Sequence, residues 1–124
     1  MGNLFLVMAG GALGAGARYA FGRWTLASVG PDYPWGTLGV NLIGGLAMGL
    51  LVGTLARTTA GEATRLLLAV GVLGGFTTFS AFSLDVALMI ERGALMTAAI
   101  YVAASVVGSI VALFAGLSLV RSIA

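Results

Sequence analysis

The stretch GGFTTFSAFS at residues 74–83 decides the fold, because it interrupts the third of four long apolar runs. It lies about where the midplane of a bilayer would fall. Two adjacent glycines weaken helix continuity, and the hydroxyls of Thr77 and Thr78 compete for backbone partners. Irregular backbone at membrane depth is tolerated only where protein covers it or where it lines a water-filled cavity. The run therefore predicts a broken third helix and a permeation or ion-binding site.

Composition predicts an integral membrane protein. The 124 residues are 60% hydrophobic and 8% charged, whereas a soluble domain carries about 25% charged residues. The chain has no Cys and no His, so we expect no disulfide, no Cys/His metal site and, without the usual general base, no enzymatic activity. Its six basic residues are scattered arginines, which argues against nucleic-acid binding.

Four stretches are long enough to cross a bilayer, which requires about 20 residues each. Turn residues separate them, and no Lys or Arg precedes the first, so we interpret it as a retained helix and not a signal peptide. The predicted fold class is an all-α integral membrane protein with a break in the third helix. Residues 1–124 form one four-helix transmembrane domain, with spans at about 4–24, 36–56, 66–90 and 95–120.

Positive charge gives almost no orientation signal. Four spans place both termini on one face of the membrane. The arginines divide into Arg57, Arg65 and Arg121 on that face, and Arg23, Arg92 and the flanking Arg18 on the other. So weak a bias predicts insertion in both orientations, which permits an antiparallel dimer. A singly oriented protein with a small bias is the alternative.

Small residues recur at helical spacing and predict close packing between helices. These stripes are Gly10 and Gly14 in the first span, Gly45, Gly49 and Gly53 in the second, and Ala104, Gly108, Ala112 and Gly116 in the fourth.

Polar residues also follow helical spacing. Thr37 and Asn41 lie one turn apart in the second span. The amide of Asn41 cannot satisfy itself along a helix as easily as a hydroxyl can, so we favour a pore-lining role for it over a structural clasp. In the fourth span a polar track runs at i+4 spacing through Thr97, Tyr101, Ser105 and Ser109.

Phe79 and Phe82 share one side of any helix that continues after the break. Aromatic rings at this spacing are usually packed in a core or against lipid. Here they alternate with Thr78 and Ser80 beside the interruption, and ring edges carry partial positive charge. The pair therefore predicts a wall that could contact a dehydrated anion.

Two charged residues lie within apolar runs. Arg18 either extends its stem to the interface or stands at the base of an aqueous vestibule. Asp85 either pairs with an arginine or lines a vestibule. The residues leave both questions open.

Three motifs, each in a different span, resemble those of a known family: GGxxGAxxRY at 10–19, WGTLxVN at 35–41 and GGFTTFSxFS at 74–83. On these motifs the chain resembles the Fluc (CrcB) family of fluoride channels along essentially its whole length. Ala81 differs from the small hydroxyl residue that many relatives carry there, which affects only a minor polar contact.

The resemblance implies an antiparallel, dual-topology homodimer in the inner (plasma) membrane that exports fluoride passively through two pores. It also implies a structural sodium ion at the dimer centre, held by backbone carbonyls of Gly74 and Thr77, with Arg18 near the vestibule. The pore residues that it implies are Asn41, Phe79, Phe82, Thr37, Ser80, Tyr101 and Ser109.

The residues alone predict only a small pore or transporter with an ion site. A proton-coupled multidrug exporter is one alternative, but it needs a carboxylate that is usually in the first span, and this first span has none. A structural membrane subunit is another, and it would leave Asn41 and the broken helix without a purpose. The chain has no ATP-binding loop.

Overall fold

The computed structural model describes residues 2–123, which fold into helices joined by short loops. Four helical stretches are long and apolar enough to cross a membrane: Gly2–Val29, Trp35–Leu55, Glu62–Glu91 and Leu95–Ile123. The prediction of an all-helical fold with four spans is confirmed. The helices are α1 (Gly2–Val29), α2 (Trp35–Leu55), α3 (Glu62–Arg65), α4 (Gly74–Phe76), α5 (Ser80–Glu91) and α6 (Leu95–Ile123), with a π-helical segment at Leu66–Leu73.

The first helix is longer than its predicted span, which was placed to end at about residue 24. It continues through its internal glycines to Val29 and ends at Gly30. Gly30 has a φ of 91°, a left-handed conformation that glycine adopts without a steric penalty and that commonly ends helices. The helix therefore extends beyond its apolar run and carries Trp24 toward the loop.

The third span is built from two helical halves. Its first half runs through α3, the π-helical segment and α4, and its second half is α5. Between them Thr77 has extended backbone, with φ −86° and ψ 159°. Residues 77–79, here the 77–79 segment, therefore lie outside both helices.

The first half of the third span packs directly on α1 through glycines. A Cβ added to Gly10 would lie 2.9 Å from the Cα of Gly71, and one added to Gly75 would lie 2.5 Å from the carbonyl oxygen of Gly11. Real Cβ atoms do not approach backbone so closely, so these positions accept only glycine without a shift. The two backbones are in contact along this seam, as predicted for the small residues of the first span.

The same packing joins α2 to α6. A Cβ on Gly45 would lie 2.7 Å from the carbonyl oxygen of Ser109, and one on Gly116 would lie 2.5 Å from that of Leu46. The predicted role of the glycine stripes in the second and fourth spans is confirmed at these positions. Lipid supplies no hydrophobic drive for helix association, so this contact area is a main source of packing energy.

One buried apolar cluster lies where α2, α5 and α6 meet. It contains Leu38, Phe82, Met89, Ala98 and Tyr101. Large apolar side chains such as those of Leu13, Val107 and Phe114 remain exposed on the outside, as expected of surfaces that contact lipid. The cluster positions Phe82 and Tyr101, two of the predicted site residues.

The glycine seam yields a matched pair of substitutions in α1. In Gly14→Ala the new methyl would meet the amide nitrogen of Phe76 at 2.7 Å, whereas Gly16 has no atom of the described chain within 4 Å of a Cβ. We expect Gly14→Ala to lower the free energy of unfolding by about 1–3 kcal/mol, the usual cost of overpacking. Gly16→Ala should leave it nearly unchanged. Thermal unfolding in detergent, followed by circular dichroism, measures both, and equal melting temperatures would contradict the seam.

Candidate ion-binding site

A cavity of about 560 Å³ lies beside the 77–79 segment, between α2, the third span and α6. We call it the phenylalanine cavity. The structure brings six of the predicted site residues to its wall. These are Asn41, Gly74, Thr77, Phe79, Phe82 and Ser109.

Asn41 binds the backbone of the 77–79 segment with both ends of its amide. Its Nδ2 donates to the carbonyl oxygen of Thr78 at 3.0 Å, and its Oδ1 accepts from the amide nitrogen of Thr78 at 2.9 Å. A side-chain amide can do this because it carries donors and an acceptor side by side. The sequence favoured a pore-lining role for Asn41 over a structural clasp. In the structure Asn41 lines the phenylalanine cavity, and it also makes the two hydrogen bonds of a clasp.

The clasp diverts an amide from its normal helical partner. In a continuous α-helix the N–H of Thr78 would bond to the carbonyl of Gly74, four residues earlier. Here that N–H donates to Asn41 instead. In the same way the N–H of Ala81, which would bond to the carbonyl of Thr77, donates to the Thr78 hydroxyl at 3.2 Å. The carbonyls of Gly74 and Thr77 are thus both released from helical bonding.

Phe79 and Phe82 lie with their ring centroids 5.5 Å apart. Their surroundings differ, because Phe82 is 7% exposed and Phe79 is 76% exposed. Phe82 is fixed by packing against the ring of Tyr101 at 5.2 Å. Phe79 projects from the chain at membrane depth, next to exposed Gly74.

Three predicted pore residues do not line the phenylalanine cavity. Tyr101 is 0% exposed, and its hydroxyl donates to Oδ2 of Asp85 at 2.9 Å. The hydroxyl of Ser80 lies 3.3 Å from that of Thr78. Thr37 borders two other cavities. The polar track of the sequence analysis therefore does not line one continuous cavity in this structure.

Arg18 reaches from α1 to the third span. Its Nε donates to the carbonyl oxygen of Gly75 at 3.1 Å, beside the end of α4. It also borders a cavity of about 240 Å³ that Arg23, Thr37 and Thr78 line. A cation is favourable at this helix end, which carries partial negative charge. Arg18 therefore combines a structural bond with a position at an open cavity.

Asp85 borders a third cavity, of about 580 Å³, at the loop between α1 and α2. We call it the loop cavity; Tyr33, Thr37 and Arg92 also line it. The one ion pair among residues 2–123 joins Arg65 to Glu62. Asp85 is therefore bonded to the Tyr101 hydroxyl and not to an arginine. Of its two predicted alternatives, an arginine partner or a place in the lining of a vestibule, its place in the lining of the loop cavity fits the second. Desolvation by burial raises the pKa of the Tyr33 phenol above its ordinary value.

The sequence analysis did not name two residues that line the phenylalanine cavity, Ser105 and Thr78, among the site residues. Ser105 is 6% exposed and lines the phenylalanine cavity, and its hydroxyl is the only buried side-chain polar atom in the described chain without a hydrogen-bond partner. Buried polar groups normally have a partner, so this hydroxyl is available to a guest. The sequence did offer one signal for Ser105, which was its place on the polar track of the fourth span. Thr78, the partner of Asn41, had no such signal beyond its place in the break.

The fold and the cavities define a small multi-pass membrane protein with an aromatic and polar site at the interruption of one span. Residues 5–117 match the family model described as CrcB-like protein, Camphor Resistance (CrcB). The chain belongs to this family, as its motifs predicted.

Curated relatives cover nearly the whole chain, and each is named fluoride-specific ion channel FluC. The protein of Chelativorans sp. is 58% identical over 99% of both chains. The protein of Sphingopyxis alaskensis is 56% identical over 99% of this chain and 98% of its own. The protein of Mesorhizobium japonicum is 53% identical over 99% of both chains.

The clasp predicts that Asn41→Ala frees the backbone of Thr78. Loss of both bonds leaves a partly buried N–H and C=O without partners, which costs up to about 1–3 kcal/mol for each group left unsatisfied. We expect a lower melting temperature in detergent and faster hydrogen exchange at the Thr78 amide. Thr54→Ala is the control, because its exposed hydroxyl bonds only to its own helix at Leu50. Unchanged exchange at Thr78 in Asn41→Ala would show that the clasp does not form.

Proposed function

We propose that this chain forms a fluoride-specific channel through which fluoride leaves the cell passively across the inner membrane. The observation that carries the proposal is the phenylalanine cavity beside the Asn41–Thr78 clasp. It combines two phenylalanine rings, an amide and hydroxyls with aliphatic side chains beside the interruption of the third span. The names of the full-length relatives support fluoride as the ion.

The cavity suits a small anion that has lost part of its hydration shell. Asn41 has two N–H groups on Nδ2 and uses one for Thr78, so the second is available to an anion. The hydroxyls of Ser105 and Ser109 add donors, and the edges of Phe79 and Phe82 add partial positive charge. No arginine or other cation lines this cavity, so an anion would be stabilised without being trapped.

The remaining predicted residues would extend the path on either side. Thr37 borders both the loop cavity and the cavity of Arg18. Tyr101 lies between Phe82 and Asp85, and Ser80 adds a hydroxyl beside Thr78. Arg18 would attract anions toward the end of the path.

A second, inverted copy of the chain would cover the exposed face of the 77–79 segment. Gly74 and Phe79 are exposed in the single chain, and lipid cannot satisfy interrupted backbone at this depth. The nearly balanced arginines favour insertion in both orientations. An antiparallel homodimer would bring two copies of the break together and would contain two phenylalanine cavities, one for each of two pores.

The released carbonyls of Gly74 and Thr77 fit a structural sodium ion at the dimer centre. Hard cations take oxygen ligands, backbone carbonyls among them. No group of three acidic side chains that could hold a metal occurs between residues 2 and 123, so the backbone is the natural source of ligands. Two carbonyls from each copy would supply four oxygens around one ion.

Fluoride transport is tested by ion efflux from liposomes that contain the purified protein. We expect fluoride to leave and chloride to remain. Phe79→Ile and Phe82→Ile should each slow fluoride about tenfold, the effect of losing about 1.4 kcal/mol of ring-edge stabilisation. Phe114→Ile, an exposed position of α6 away from the cavity, should not slow it. Equal fluoride and chloride efflux in the wild type would refute the channel, and unhindered flux in both cavity variants would refute the aromatic wall.

The dimer is tested through its topology and its cation. The chain has no cysteine, so Ser122→Cys near the C-terminus provides a single labelling site. We expect a membrane-impermeant thiol reagent to label about half of the protein from each side. Replacing Na⁺ with N-methyl-D-glucamine should lower the melting temperature of the purified dimer. Labelling from one side only would contradict the inverted pair, and indifference to Na⁺ would contradict the central ion.

A further inference from the structure

Tyr101 separates the loop cavity from the phenylalanine cavity. Its hydroxyl bonds to Asp85, which lines the first, and its ring packs on Phe82, which lines the second. Tyr101 itself is fully buried and borders neither cavity. Tyr101 therefore lies between a residue of each cavity, within the buried cluster of Leu38, Phe82, Met89 and Ala98.

Tyr33 supplies a third contact that fixes Tyr101. The two rings meet edge to face, with centroids 5.5 Å apart and an interplanar angle of 85°. Asp85 and Phe82 both belong to α5, whereas Tyr33 lies in the loop between α1 and α2. It packs against the same buried cluster as Tyr101.

The backbone of Tyr33 is itself well held. Its carbonyl oxygen accepts from the amide nitrogen of Trp35 at 2.8 Å, and its ring lies 4.7 Å from the ring of Trp35. Tyr33 thus presents its ring to Tyr101 from the wall of the loop cavity. Removing that ring would take away the contact that Tyr101 makes on the side of the loop cavity.

We propose that Tyr33 is a positioning residue of the anion path, which keeps Tyr101 between the two cavities with its hydroxyl on Asp85. Tyr33 has this role only if the chain conducts anions as proposed above. With Tyr101 fixed, an anion passes only by displacing a hydroxyl that is already hydrogen-bonded, which favours a small and strongly hydrogen-bonding ion. Without Tyr33 the two cavities would join, and larger anions would pass.

The test compares Tyr33→Ala with Tyr33→Phe, which keeps the ring edge. An aromatic pair of this kind shifts an equilibrium by roughly threefold to tenfold. We therefore expect Tyr33→Ala to lower the ratio of fluoride to chloride efflux by up to about tenfold, chiefly through faster chloride. Tyr33→Phe should retain the wild-type ratio. Trp24→Ala is the control for loss of an interfacial aromatic residue, because Trp24 stacks only on Phe21 and should not change the ratio.

A second measurement does not depend on transport. The chain has three tyrosines, so 3-fluorotyrosine labelling gives three ¹⁹F resonances, and Tyr101→Phe identifies that of Tyr101. We expect this resonance to shift and to become accessible to solvent in Tyr33→Ala, but not in Tyr33→Phe or Trp24→Ala.

The outcomes separate the two proposals. An unchanged efflux ratio and an unchanged Tyr101 resonance in Tyr33→Ala would overturn the role of Tyr33 while leaving the channel intact. The same loss of selectivity in Trp24→Ala would also overturn it, because the effect would then belong to the interface. Absence of fluoride efflux in the wild type would instead refute the channel itself, together with any role in its path.

Discussion

The two hydrogen bonds between Asn41 and Thr78 are the interaction on which the rest of the site depends. A helix that stops at membrane depth exposes backbone groups that lipid cannot satisfy, at a cost of several kcal/mol each. Asn41 satisfies one donor and one acceptor at that point from a neighbouring helix. Because it does so, the third span can be interrupted without leaving the N–H and C=O of Thr78 unsatisfied, and the carbonyls of Gly74 and Thr77 are released from helical bonding.

The clasp in turn requires that helices approach closely. The carbonyl of Gly75 accepts from Arg18 where α1 lies against the third span, and Gly75 permits this approach because a Cβ there would clash with the backbone of Gly11. On the other side, Gly44 leaves room for the side chain of Thr77, which a Cβ would occupy. The glycines of this protein therefore do more than join helices. They bring polar side chains of two spans within hydrogen-bond reach of one short stretch of backbone.

The sequence predicted those parts of the structure that depend on local pattern. The length of the apolar runs predicted the four spans, and small residues four positions apart predicted the close helix contacts of α1, α2 and α6. The partner of Asn41 could not be predicted, because it depends on how two spans meet. For the same reason the members of the polar track in the fourth span have different surroundings: Ser105 and Ser109 line the phenylalanine cavity, whereas the hydroxyl of Tyr101 bonds to Asp85. Helical spacing predicts a shared face but not which neighbour that face contacts.

The placement of charge explains why such a site would favour passage over tight binding. Neither Arg18 nor Asp85 lines the phenylalanine cavity: Arg18 donates to the carbonyl of Gly75, and Asp85 accepts from the hydroxyl of Tyr101. The polar groups that line the phenylalanine cavity are an amide and hydroxyls, beside two phenylalanine rings and aliphatic side chains, so the partial charges are spread over several groups. Such groups can replace the water around a small anion one contact at a time, whereas an unpaired arginine there would hold it. An anion site made of partial charges can therefore be both selective and quickly vacated.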